Sequence, residues 1–262
     1  MELNIDGKVA LVFGAGGGLG GAIARALAAE GVKVAAADIF LEGAEKTVSD
    51  IEAAGGTALA VEWDVGDLGV AAANLDRVRE ALGGGVEILV NNTGGPPPST
   101  ASGVPAEVWQ SHFQSMVLGV IGVTDLVLPG MREAGWGRII TSTSSGVVAP
   151  IPNLGVSNAL RMALVGWSKT LAREVGGDGI TANVVLPGRI ATQRITQLDV
   201  ARAEREGKSV EEIQRASTAT IPLARYGRPE EYGSAVAFLA GTAASYVTGS
   251  VLRVDGGLIP AV

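Results

Sequence analysis

Val9–Glu30, VALVFGAGGGLGGAIARALAAE, falls into three pieces in immediate succession. Val9–Phe13 is an uncharged apolar run of strand length. Gly14-Ala15-Gly16-Gly17-Gly18-Leu19-Gly20 is a glycine turn, and Gly18–Glu30 carries apolar residues at helical period. A strand that turns through glycines into a helix amino terminus is a diphosphate cradle. Main-chain N–H groups free of side chains can approach phosphate oxygens, and the helix dipole adds about half a positive charge at that end. Glycines in a turn can also be merely structural, so the meaning of this one rests on its context.

Outward from that stretch, apolar runs of strand length recur at Val32–Ala37, Thr57–Val61, Ile88–Val90, Arg138–Ser142, Thr181–Leu186 and Val251–Val254. The intervening periodicity predicts helices over Gly18–Glu30, Glu42–Ala54, Leu68–Leu82, Ala106–Ala134, Val156–Val175 and Pro229–Gly241. This alternation predicts an α/β fold, a doubly wound parallel seven-stranded sheet of the Rossmann type covered on both faces. No Pro/Ser linker or composition shift divides residues 1–262, so a single domain is expected. Residues 193–221 interrupt the alternation with a charge-dense middle, Ala203–Arg215. An insertion at the carboxyl edge of a parallel sheet is placed to act as a lid, and a solvated pair of surface helices explains the same stretch equally well.

Composition narrows the function. The absence of cysteine excludes disulfides, thiol nucleophiles and thiolate metal sites, and the single histidine, His112, excludes His-cluster metal sites and most Ser-His-Asp schemes. No metal is expected. With 27 acidic against 20 basic residues the chain opposes phosphate backbones and anionic membranes, so neither nucleic acid nor a membrane is an expected partner. The start MELNIDGK lacks the apolar core of a secretory signal. Two uncharged stretches, Val9–Ala24 and Gly233–Leu252, break into strand-like and helix-like pieces and read as buried core. A cytoplasmic location follows as an expectation.

Asp38 supplies the context for the glycine turn. It ends the second apolar run, VAAAD, where a carboxylate can accept both adenosine-ribose hydroxyls and repels a 2'-phosphate. No arginine stands beside it to offset the charge, so NAD(H) is expected over NADP(H). The alternative is an Asp that caps the next helix. Asp64-Val65 follows the third run and Asn91-Asn92-Thr93-Gly94 the fourth, again at the carboxyl edge.

These residues, with GRIITSTSS, with Asn183–Gly188 followed by Thr192, and with the ending Val254-Asp255-Gly256-Gly257, resemble the short-chain dehydrogenase/reductase family over nearly the whole chain. It resembles especially the family's many 3-oxoacyl-acyl-carrier-protein reductase-like members. The resemblance implies that Gly14, Gly17, Leu19 and Asp38 hold the diphosphate and adenosine, and that Asp64 and Val65 hold the adenine. It places Asn91 and Gly94 at the nicotinamide ribose, and Ile190 and Thr192 near the carboxamide. It also implies a homotetramer.

The family's chemistry implies a serine that orients the carbonyl, then a tyrosine thirteen positions on, and a lysine four further that lowers the tyrosine pKa and holds the ribose. Ser144 fits the first role, and the count then lands on Ser157 and Arg161. The only tyrosines are Tyr226, Tyr232 and Tyr246, so no register shift supplies one. The family's supporting asparagine falls on Met116, and Phe13 replaces the usual threonine before the turn. Lys169, eight residues past Arg161, points about 80° away around the helix and reads as a solvent residue.

Ser157 is a poor proton donor but can hydrogen-bond a substrate oxygen. Arg161 stays charged and offers a planar fork that suits ribose hydroxyls, a carboxylate or a developing oxyanion. The expected activity is therefore hydride transfer between NAD(H) and a small carbonyl, alcohol or imine, with Ser144, Ser157 and Arg161 at the reacting end and no Tyr/Lys relay. An imine enters because an iminium already carries its proton. The alternatives are a non-catalytic NAD-binding scaffold, or a lyase or isomerase on the same fold. Arg189 and Arg194 flank the Pro187-Gly188 turn; ordinary pairing with the acids of residues 193–221 is the first reading for them, and an anion-binding group with Arg161 for a carboxylated substrate is the alternative. His112, one turn before Met116, is weighed as a substitute acid/base against a plain surface residue.

Overall fold

All seven apolar runs become strands. In a computed structural model that describes residues 2–261, the strands are β1 (Val9–Phe13), β2 (Lys33–Asp38), β3 (Ala58–Glu62), β4 (Ile88–Asn91), β5 (Gly137–Ser142), β6 (Ile180–Pro187) and β7 (Val251–Val254). They form one sheet in the order β3-β2-β1-β4-β5-β6-β7, with every neighbouring pair parallel. The domain is the expected Rossmann arrangement. β2 runs one residue further than its apolar run because Asp38 stays in the ladder opposite Glu62, and its carbonyl accepts the Trp63 N–H.

The helices cover both faces, as the near-continuous apolar strands require. On one face lie α1 (Gly18–Ala29), α2 (Leu41–Ala53) and the late helix Pro229–Ala240, which bury Ile23, Leu27, Ile51, Val236 and Leu239. The other face carries α3 (Ala71–Leu82), α4 (Ala106–Phe113), α5 (Gly119–Ala134) and α6 (Gly155–Val175), with Val78, Val123, Met131, Leu171 and Val175 in the core. The expected helix over Ala106–Ala134 is continuous, and α4 and α5 are its two parts, joined by a wider π turn, Gln114–Leu118, in which the Gly119 N–H reaches the Gln114 carbonyl. The expected start at Leu68 is corrected: Asp67 accepts the Gly69 N–H and holds Leu68–Val70 as one tight turn, so α3 begins at Ala71.

Val9–Ala24 and Gly233–Leu252 divide between strand, turn and helix, as their composition suggested. Ala106–Ala134 is itself long and apolar enough to cross a bilayer; here Val120, Val123 and Met131 of that segment are buried in the protein. Residues 193–221 fold as a helix pair, α7 (Gln193–Glu206) and α8 (Val210–Thr218), so that Pro229–Ala240 is α9. Thr192 caps α7 by accepting the Ile195 N–H, and a Ser209–Glu212 capping box starts α8. The strand order runs outward in opposite directions from β1 and β4, so the crevice lies beyond their carboxyl ends.

Candidate functional site

At the carboxyl end of β1 the chain enters Gly14 with φ +63°, a backbone conformation that favours glycine. Four residues into the helix approach, a Cβ on Gly20 would collide with the Gly14 carbonyl, so α1 starts tightly against the turn. Asn92 staples this turn to β4, its Nδ2 donating to the Phe13 carbonyl at 3.2 Å. Beside it, the Asp38 carboxylate accepts the Gly16 N–H at 2.8 Å and the Phe40 N–H at 3.0 Å. Asp38 thus borders the glycine turn and also steadies the entry to α2. Gly17 is exposed, and Thr192, just before α7, faces the turn, its Cγ2 standing 3.6 Å from a Cβ built on Gly18.

Val65 and Ile190 are buried, and Ile190 bridges to Gly227; Asp64 is exposed, its carboxylate accepting the Gly66 N–H at 2.8 Å. Leu19 is half-buried against the core on the α1 side. Asn91 is buried with Oδ1 unpartnered, its Nδ2 directed to Thr124 at 3.4 Å. An open glycine turn at a helix amino terminus, a carboxylate at the end of β2 and a buried unpartnered Asn91 oxygen together fit a dinucleotide.

The expected catalytic residues come together where β4, β5 and α6 meet. Ser144 follows β5 and its Oγ accepts the Gly146 N–H at 3.0 Å, which leaves its own O–H to donate. Asn158 on α6 holds the following loop, donating to the Ile151 carbonyl at 2.9 Å. Ser157 and Arg161 lie one helical turn apart on α6, each 8% exposed. The Arg161 guanidinium donates to the Ser142 carbonyl at 3.3 Å and to the Thr93 and Gly94 carbonyls at 3.1 Å each. Burial pulls its pKa down to about 10; the Tyr232 phenol acts against that fall and the Arg194 charge adds to it.

Tyr232 is fully buried under this corner, within hydrogen-bond distance of Ser142 Oγ at 2.8 Å and donating to the Val185 carbonyl at 3.2 Å. Burial drives its pKa far up, so it remains a neutral phenol. Sequence reasoning missed Asn158 and the Ser142–Tyr232 pair: Asn158 sits unmarked beside Ser157, and Tyr232 is the one polar side chain in an otherwise apolar helix face. Met116 packs with Val120, Leu160 and Leu164 and brings no polar atom to the site.

Arg194, in the first turn of α7, donates to the Pro96 carbonyl at 2.9 Å and overlooks the same corner. Arg189 does not join it. Its guanidinium pairs with the fully buried Asp199 at 2.7 Å, which also accepts the Tyr226 hydroxyl at 2.7 Å; for Arg189 this is the pairing with an acid of residues 193–221 that the sequence offered against the arginine group, which leaves Arg161 and Arg194. Lys169 is exposed, as expected, and its Nζ donates to the Gly249 carbonyl at 2.8 Å. The half-buried His112 ring has no hydrogen-bond partner among the described residues.

Known proteins match this arrangement over its full length. The family model described as Enoyl-(Acyl carrier protein) reductase covers residues 14–259. The 3-oxoacyl-(acyl-carrier-protein) reductase FabG of Escherichia coli is 38% identical over 259 residues, which is 98% of this chain and 99% of that protein. The chain belongs to the short-chain dehydrogenase/reductase family. Among solved members, L-sorbose reductase from Gluconobacter frateurii, complexed with NADPH and L-sorbose, superposes with a TM-score of 0.93 at 30% identity, each chain fully covered. A 7 alpha-hydroxysteroid dehydrogenase complexed with NADH superposes at 0.89 and 30% identity, over 98% of this chain and 96% of that one. This short-chain dehydrogenase/reductase is accordingly an NAD(P)-dependent oxidoreductase.

Proposed function

We propose that this family member is NAD(H)-dependent and transfers hydride to or from a small carbonyl or alcohol, with Ser144, Ser157 and Arg161 at the reacting end in place of a Tyr/Lys relay. The observation that carries the reading is the position of Arg161, a buried cation fastened between the carboxyl ends of β4 and β5, one turn from Ser157. When bound, NADH supplies the hydride and NAD accepts it. Gly14, Gly17 and Leu19 cradle the diphosphate, and Asp38 receives the adenosine ribose and disfavours a 2'-phosphate. Asp64 and Val65 border the adenine, Asn91 and Gly94 the nicotinamide ribose, and Ile190 and Thr192 the carboxamide.

Ser144 donates to the substrate oxygen and Arg161 stabilises the negative charge that develops there. Holding the reactants aligned contributes much of the rate. A neutral Ser157 hydroxyl orders the oxygen or a water, and the final proton comes from solvent. Arg161 and Arg194 favour a neutral or anionic carbonyl over a cationic iminium, which they would repel. Residues 193–221 serve as the lid, closing from Thr192. A cytoplasmic homotetramer, like the absence of a metal, of nucleic acid and of a membrane partner, belongs to the same reading.

The test is NADH consumption against ketones, aldehydes and cyclic imines, with NAD reduction by the matching alcohols. Turnover with a carbonyl, and a preference for NADH over NADPH, supports the proposal. Tight NADH binding without turnover on any of them moves the protein to the scaffold or lyase readings.

A further inference from the structure

Three polar groups converge on one point of the cleft. A Cβ built on Gly95 would stand 3.5 Å from Arg161 Nη2, 3.9 Å from Arg194 Nη2 and 4.0 Å from Ser157 Oγ. Gly95 is exposed, so the space in front of it opens to the crevice. One guanidinium reaches it from α6 and the other from the first turn of α7. Neither has a carboxylate within salt-bridge distance among the described residues, whereas Arg189, Arg202 and Arg225 of the same region are each paired.

Two features make this an unbalanced charge. Arg161 is more than nine-tenths buried, its hydrogen bonds go to carbonyls and not to a carboxylate, and a buried cation is normally paired. Arg194 occupies the amino-terminal turn of α7, which holds no acidic residue, although the helix dipole favours negative charge there. The Arg161 hydrogen bonds leave from Nη1 to Ser142 and from Nη2 to Thr93 and Gly94, so toward Gly95 Arg161 offers its charge, while Arg194 and Ser157 offer the N–H and O–H donors.

We propose that this corner binds the carboxylate of the substrate, so that the carbonyl compound is a short oxo acid and its reduced partner a hydroxy acid. The proposal rests on the oxidoreductase reading and deepens it. The carboxylate lies against Gly95, between Arg161 and Arg194, with Ser157 donating to one oxygen. The reacting carbonyl points to Ser144, which follows directly on the strand end whose Ser142 carbonyl Arg161 holds. That closeness favours a carboxylate one or two carbons from the carbonyl. Gly95 keeps the pocket open, because a methyl there would take the ligand's space while making only ordinary contacts with its neighbours.

The experiment uses the whole protein with pyruvate and acetoacetate, each compared with its ethyl ester, and with malonate as a non-reacting anion followed by thermal shift and by inhibition. Wild type should prefer the acids to the esters by at least about tenfold in kcat/KM, the worth of one charge-assisted hydrogen bond. Arg194→Gln should raise KM for the acids about tenfold or more, so that the acid-over-ester preference falls by about that factor. Gly95→Ala should abolish the malonate shift while the protein stays folded.

Equal use of acids and esters, with Arg194→Gln silent on both, overturns the proposal while the oxidoreductase reading stands. A higher NADH dissociation constant in Arg194→Gln with unchanged acid preference also overturns it, assigning Arg194 to the cofactor. No turnover on any compound defeats the oxidoreductase reading, and malonate binding then decides the anion site by itself.

Discussion

The two halves of the crevice are built differently. On the β1–β2 side the polar groups answer one another locally: Asp38 accepts two main-chain N–H groups, Thr47 Oγ1 donates to the Ala15 carbonyl at 2.6 Å, and Asn92 ties the turn to β4. On the β4–β5 side, Asn91 Oδ1 and the Thr93, Ser99, Thr141 and Thr143 hydroxyls are buried without partners, and Arg161 and Arg194 have no counter-charge among the described residues. Buried polar groups are normally paired, and exceptions cluster where function needs them. The first half is a locally satisfied frame, and the second is electrostatically unfinished, as the proposed sites for the nicotinamide end of the cofactor and for the substrate require.

The sharpest way to break this comparison is Arg161→Met. The Ser142, Thr93 and Gly94 carbonyls would lose their donor in a buried corner, at a cost of about 2–3 kcal/mol of stability, read from urea denaturation. An unchanged midpoint would mean that the corner is not organised by Arg161. The matching change in the frame is Gly20→Ala, whose methyl collides with the Gly14 carbonyl. It should weaken NADH binding by more than about tenfold. Asp38→Ser sharpens the frame further: the NADH-to-NADPH preference should fall by about tenfold, because one charge repulsion disappears. A ratio that does not move separates Asp38 from cofactor choice.

A smaller effect concerns pH. The folded-state pKa of Arg161, about 10, lies below that of a free guanidinium, so burying its charge lowers stability at neutral pH and that penalty fades as pH rises through about 10. Relative to Arg161→Met, wild type should gain about 1 kcal/mol between pH 9 and 11, measured by chemical denaturation. A flat difference would contradict the buried, unpaired cation. The smallest expected change is His112→Ala, which should leave kcat/KM within about twofold, since its ring has no partner near Ser144, Ser157 or Arg161. A large loss would return it to the reacting half.

The frame was the more legible half because its signals are local. Glycines between a strand and a helix, and a carboxylate ending the next strand, have backbone causes that adjacent residues express. The reacting half depends on contacts between residues far apart in the chain. Nothing near Arg189 announces that the buried Asp199 captures it, nor does the neighbourhood of Tyr232 reveal Ser142 across 90 residues. Gly95, one residue past the quoted Asn91–Gly94 motif, gains its meaning only when α6 and α7 converge on it. The π turn at Gln114–Leu118 was hidden for a different reason: its apolar residues keep helical period through the turn, so pattern alone reads one helix.

The most direct test is to measure NADH binding and carbonyl-dependent NADH oxidation side by side in wild type and Arg161→Met. The expected result is turnover of at least one carbonyl by wild type, and its loss by about 100-fold or more in the variant with NADH affinity held within a few-fold. A variant that turns over as wild type does would contradict the placement of Arg161 at the reacting end. A wild type that binds NADH yet reduces nothing would contradict the oxidoreductase reading of that centre.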